Sequence, residues 1–316
     1  MKKSYYILGL IFILTIATRL ILAFQTPYFT GDDSYFSLRQ VEHISSTGVP
    51  IYQDNLSYGG REQVFLPFFY YFLSFFDLFM PINLVGKIIP NILLSLMVII
   101  VYLISKEISK DDDASLFSSF ISGFIPIFFK ETVNTISVYS LVFPLMLMTI
   151  YFFLKIKDKN MVYYFLIALF MLILTSPAVI LLLLGFILYI FLVKLEDLKQ
   201  SKIELEVILF SVVLTTWLMF IVFKKAFLLN GLGVVWQNIP TGILDNYFSD
   251  ITILGAIYQI GSLPLSYGVY SIYDNLFRKK DRKLYLILGL SFSTALLLWM
   301  KLIALGPGLM CLGLMM

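Results

Sequence analysis

Long apolar runs alternate with short polar breaks along the whole chain. Residues 5–24 form an apolar run of about 20 residues, the length a helix needs to cross a bilayer. Lys2 and Lys3 precede it and it lacks a small-x-small cleavage site, so it reads as an uncleaved first span with a cytoplasmic N-terminus. Arg19, near its outer end, is expected to snorkel to the headgroups. Further spans are expected at 82–105, 114–129, 140–154, 161–174, 178–193, 207–223, 251–277 and 284–300. The last run, 308–316, is too short to cross about 30 Å of hydrocarbon and reads as a span cut off by the end of the sequence. The expected fold is all-α, a polytopic transmembrane helical bundle of about ten spans. A single domain over residues 1–316, with no soluble C-terminal domain, is expected.

Two stretches depart from that rhythm. Within 25–62, Tyr35, Leu38, Val41 and Ile44 recur every third residue, which predicts a short amphipathic helix ended by Gly48 and Pro50, with Asp32 and Asp33 at its start. Residues 64–76 are apolar but shorter than a span and contain Pro67, so they read as a segment dipping into the interface. Counting them as a full span would reverse every later loop. With no crossing there, the N-terminus, 106–113, 155–160, 194–206 and 278–283 share the cytoplasmic side and carry 15 of the 23 Lys and Arg residues, as the positive-inside rule demands. The external loops are then 25–81, 130–139, 175–177, 228–250 and 301–307.

Composition narrows the class. The chain is 59% hydrophobic and 14% charged. Soluble domains run at roughly 45–50% and about 25%. The net charge of +3 is spread along the chain and implies no nucleic-acid partner. Cys311 stands alone in an apolar run, which excludes an intrachain disulfide and suggests a buried, inert thiol. His43 is also single, leaving no imidazole cluster for zinc.

The candidate chemistry is the carboxylate pair Asp32 and Asp33 beside a membrane span, where ionisable side chains are costly. Such a carboxylate can deprotonate or orient an acceptor, or hold a divalent cation beside a leaving phosphate. Its structural alternative is an N-cap, worth about 0.5–2 kcal/mol.

The sequence Asp33-Ser-Tyr-Phe-Ser-Leu-Arg39, the Gly48-Val-Pro50 turn, Tyr58-Gly-Gly60 and the aromatic dipping segment resemble the first external loop of the oligosaccharyltransferase catalytic-subunit family. That family belongs to the GT-C superfamily of polyprenyl-phosphate-dependent glycosyltransferases. The stretch Phe128-Phe-Lys-Glu-Thr-Val-Asn134, Ser140-Leu-Val-Phe-Pro144 and Thr175-Ser-Pro177 are similar to later family landmarks. The resemblance implies a GT-C-like bundle in which Asp33 is the catalytic carboxylate and Asp32 its neighbour. It also implies a Mg or Mn cofactor on Asp33, a polyprenyl-phosphate-linked sugar as donor, and a glycan, lipid or protein acceptor. Localisation would be multi-pass in a membrane, the plasma membrane in a prokaryote.

The chain departs from the family in four places. Thr135 and Ser137 stand where the family's second-loop Asp-x-Asp falls, with Glu131 upstream as a substitute carboxylate; its structural alternative is an exposed acid paired with Lys130. The fifth external loop offers only Asp245 and Asp250. Lys301, before Gly306-Pro-Gly308, replaces a family Arg on the lipid phosphate, and a lysine serves there as a point charge without the bidentate fork. Arg61, after Gly59 and Gly60, is a second candidate phosphate partner. No counterpart of the family's soluble C-terminal domain for the acceptor peptide is expected within these 316 residues. Other readings of the same features are a flippase-like lipid or polysaccharide transporter, and a catalytically inactive relative with a scaffold role.

Overall fold

The computed structural model describes residues 2–56, 60–199, 201–231 and 252–315. Its order is α1 (Lys2–Ala23), α2 (Asp32–Thr47), a two-residue antiparallel hairpin of β1 (Gln53–Asp54) and β2 (Arg61–Glu62), α3 (Phe68–Asp77), α4 (Ile82–Ser95) and α5 (Met97–Ser109). There follow α6 (Asp112–Gly123), α7 (Pro126–Thr132), α8 (Tyr139–Leu154), α9 (Lys159–Thr175), α10 (Val179–Leu195) and α11 (Lys202–Asn230). The last described elements are α12 (Ile253–Ile260), α13 (Ser262–Asp274), a π-helical turn (Asn275–Lys279), α14 (Arg282–Trp299) and α15 (Leu305–Met315).

Among the described residues four helices are long and apolar enough to cross a membrane: Lys3–Ala23, Ile82–Ser109 (α4 continuing into α5), Lys202–Leu228 and Arg282–Trp299. Tyr6, Leu10, Ile13 and Ile21 on α1, and Leu209, Val213, Trp217 and Phe220 on α11, are exposed. Such large apolar surfaces fit a lipid solvent rather than water.

Several expected spans are broken, each for a local reason. The run 114–129 divides into α6 and α7 because Pro126 occupies the first position of the second helix and holds Ile125 extended. The run 251–277 divides at Gly261, whose φ of +99° suits glycine alone. In 64–76 the helix starts only after Pro67.

All five segments assigned to one side by charge meet at one end of the bundle. Ser4 reaches Asp112 at 3.4 Å. Lys283 Nζ pairs with Glu107 at 2.6 Å, and Lys155 approaches the same carboxylate at 3.8 Å. Lys280 pairs with Glu196, and Arg282 donates to Glu204 at 2.9 Å and to the Lys199 carbonyl at 3.2 Å. At this end Asp111, Asp158 and Asp281 cap α6, α9 and α14, each accepting from the backbone N–H two residues on.

The core forms where α10 crosses α14 on a pair of glycines. A Cβ at Gly289 would lie 2.8 Å from the Gly185 carbonyl oxygen and 3.0 Å from the Tyr189 nitrogen, both backbone atoms that cannot rotate away. Small residues at such a crossing let two helix backbones approach. Gly289→Ala is therefore expected to destabilise the bundle by about 1–3 kcal/mol, read as an earlier midpoint in an SDS unfolding titration; an unchanged midpoint contradicts the close crossing.

Candidate functional site

The opposite end carries the candidate site, assembled by docking the segment 133–138 on the start of α2. The Thr30 N–H donates to the Asn134 carbonyl at 2.9 Å, and the Thr30 and Thr135 hydroxyls lie 3.0 Å apart. Ser34 Oγ accepts from the Ile136 N–H at 3.1 Å, and Ser37 Oγ donates to the Asp33 carbonyl at 2.8 Å. Ile136 and Phe29 settle over Gly86 of α4, where a Cβ would stand 2.6 Å from one and 3.0 Å from the other.

This docking revises the predicted face of α2. Ser34, Ser37, Gln40, Val41 and Ile44 are the buried residues, and Tyr35 is 47% exposed. The stripe of Tyr35, Leu38, Val41 and Ile44 is thus rotated toward the serines, because the neighbour of the first two turns is a polar loop that needs hydrogen-bond partners. The helix ends at Gly48, left-handed at φ +79°, as its sequence predicts.

Asp32 and Asp33 occupy the first turn, both exposed. The N-cap is Gly31, and no side chain makes the capping bond, so the N-cap alternative for the two acids is overturned. Neither carboxylate has a hydrogen bond or ion pair among the described residues; what they gain is the positive end of the α2 dipole. Tyr70 of α3, 6% exposed, approaches from below. Burial pushes its phenol above the ordinary value, a hydrogen bond with Ser37 offsets part of this, and the Asp33 carboxylate pushes it further up.

Glu131 lies at the end of α7. Its carboxylate stands 3.6 Å from Lys130 Nζ, the expected surface pair, and also packs on the 301–307 turn. A Cβ at Gly306 would come within 3.0 Å of Glu131 Oε2, so glycine is what admits the carboxylate. At the other end of that turn Lys301 follows α14 with φ +54°. Its N–H bonds the Leu298 carbonyl at 3.0 Å and the Leu302 N–H bonds the Leu297 carbonyl at 2.9 Å, a Schellman cap in which a lysine takes the usual glycine position. Asp33 and Glu131 flank the docked 133–138 segment without touching each other. The backbone of Arg61 is in β2, whereas its side chain, Tyr58, Gly59, Asp245 and Asp250 lie outside the described residues.

The acidic side chains available to a cation at this end are few. Asp33 and Asp32 supply carboxylates, and Asn134 Oδ1, buried at the docked loop, is an acceptor with no partner among the described residues. Thr135 and Ser137 contribute hydroxyls only, and among the described residues no three acidic, His or Cys side chains cluster. One or two carboxylates with waters and substrate phosphates are the usual Mg²⁺ environment.

Sequence reasoning missed a second layer below this surface. Arg19 is buried at 2% exposure, correcting the snorkelling expectation, and donates from Nε to Asn91 Oδ1 at 3.0 Å and from Nη2 to Thr132. Lys87, 4% exposed, donates to the carbonyls of Ala23 and Thr26. A lysine and an asparagine within the 82–105 run were the available signal, since ionisable groups inside spans are rarely incidental. Cys311 is buried against Thr294 at 3.3 Å, as its sequence context predicts.

A cavity of about 490 Å³ among α5, α6, α13, α14 and α15 reaches Ser105, Ser109 and Asp274, toward the end remote from Asp33.

By fold the chain is mostly helical, and four of its described helices are long and apolar enough to cross a membrane. No protein-family model matches it, and no curated protein matches it either.

Proposed function

We propose that the protein is a GT-C type glycosyltransferase of about ten spans that transfers a sugar or oligosaccharide from a polyprenyl-phosphate-linked donor on the extracytoplasmic side. The observation that carries the reading is the docked loop. The two loops that resemble the family's first and second external loops meet at the turn bearing Asp33, with Glu131 and the Lys301 turn at the same end of the bundle.

In this reading an acceptor hydroxyl or amide attacks the anomeric carbon while Asp33 takes or orients its proton. The bond from that carbon to the phosphate oxygen breaks, and the lipid phosphate leaves with the electron pair. Lys301, with Arg61 as the second candidate, meets the developing negative charge. Asp32 and Glu131 assist by orienting the acceptor. A Mg or Mn ion, when bound at Asp33, supplies further positive charge for the leaving phosphate. Thr135 and Ser137 favour a second reading, an inactive relative that scaffolds a complex.

Purified protein given labelled polyprenyl-phosphate sugars decides between the two: labelled product supports transfer, and folded protein that transfers from no donor supports the scaffold. The sidedness has its own test. Lys280→Cys in intact cells is expected to react with an impermeant maleimide only after permeabilisation; labelling of intact cells would invert the topology.

A further inference from the structure

We propose that Arg19 and Lys87 are positioning residues that clamp the two loops of the candidate site; their effect on transfer rests on the reading above, their effect on the loops does not. Both cations lie in apolar helices, at 2% and 4% exposure, and no carboxylate pairs with either among the described residues. Removing an ion from water costs several kcal/mol after relaxation. No opposing ion returns that cost here, so its return must come from what the cations hold.

What they hold is the backbone and side chains of both loops. Lys87 Nζ bonds the Ala23 carbonyl, at the C-terminus of α1, and the Thr26 carbonyl, in the segment leading to Asp32. The helix end is the negative pole of α1 and leaves its last carbonyls without partners, so an ammonium there is doubly favoured. The rings of Phe24 and Phe29 face the same ammonium at 5.9 and 5.4 Å. Arg19 bonds Thr132, the neighbour of Glu131, and lies 5.2 Å from the Phe129 ring centroid. Asn91 joins the two halves: its Oδ1 accepts from Arg19, and its Nδ2 donates to the carbonyls of Lys87 at 2.8 Å and Val133 at 3.1 Å. Asn134 Nδ2 closes the circuit on Thr26 Oγ1 at 3.2 Å. An aliphatic residue at position 19 or 87 would avoid the desolvation but strand these acceptors and untie one loop from the bundle.

The test reads the loop contact directly. Thr30→Cys with Thr135→Cys replaces two hydroxyls 3.0 Å apart, and the native Cys311 is buried elsewhere. Disulfide formation in membranes under mild oxidant is expected to slow by about 3- to 30-fold in Lys87→Met and in Arg19→Gln, and Lys87→Arg is expected to restore most of the rate. Glu204→Gln, at the opposite end, is expected to lower thermal stability and leave cross-linking at the parental rate. In the transfer assay the clamp variants should lower kcat with the donor KM unchanged, since both cations are buried and bonded to protein groups. If Lys87→Met does not fold, Thr132→Val removes one Arg19 acceptor, keeps both cations, and carries the same expectation for cross-linking. Parental cross-linking rates in the clamp variants, or equal slowing by Glu204→Gln, overturn the proposal. Slowed cross-linking in a protein that transfers no sugar upholds the clamp and overturns only the glycosyltransferase reading.

Discussion

Replacing Asp33 with asparagine is expected to lower sugar transfer by about 10²- to 10⁴-fold, the range a positioned general base contributes. The substitution keeps the shape and removes the charge and the proton affinity. It should leave the fold intact, because Asp33 caps nothing and its side chain has no hydrogen-bond or ion-pair partner among the described residues to strand. The structural loss is confined to the interaction of one carboxylate with the α2 dipole, about 0.3–1 kcal/mol. Asp32→Asn and Glu131→Gln should each have a smaller effect, since both are assigned to orientation. Initial rates with a labelled donor, set beside the thermal unfolding midpoint, check all three. An Asp33→Asn enzyme working at the parental rate sinks the proposed mechanism.

Arg282→Met is expected to have the largest effect on stability, about 3–5 kcal/mol, because it strands a buried carboxylate. The Glu204 side chain is 5% exposed and is held by Arg282 at 2.9 Å and by the Tyr189 hydroxyl at 3.0 Å. Without the guanidinium one neutral donor remains, and the Lys199 carbonyl also loses its partner. Replacing both members, Arg282→Met with Glu204→Gln, should recover much of the loss, since the uncompensated charge is then gone. SDS unfolding titrations of the two single variants and the double variant close the cycle. A single variant as stable as the parent would mean that the ion pair carries no weight.

The helices themselves were legible because hydropathy reports burial in lipid or core without needing a partner. The starts of α8, α9, α10 and α14 fall within two residues of the expected spans 140–154, 161–174, 178–193 and 284–300. The breaks at Ile125 and Gly261 were less legible, since a run of apolar residues looks the same whether or not its backbone bends. The face of α2 was misjudged for a related reason: periodicity counts apolar side chains, whereas Ser34 and Ser37 are buried by hydrogen bonds to a loop about a hundred residues away. Arg19 went wrong similarly, because snorkelling is the default only for a cation with no polar partner inside.

The sequence by itself determined that this chain is a helical bundle suited to a bilayer, with its basic segments gathered at one end and an acidic loop following the first helix. Those properties are sums over local composition. Only the tertiary structure decided which residues meet. It brought Thr135 and Ile136 against the turn of Asp33, seated Glu131 on Gly306, and turned Arg19 and Lys87 inward to hold the loops that carry the carboxylates. Such contacts depend on loop docking and on hydrogen bonds between distant segments, and neither hydropathy nor spacing encodes them.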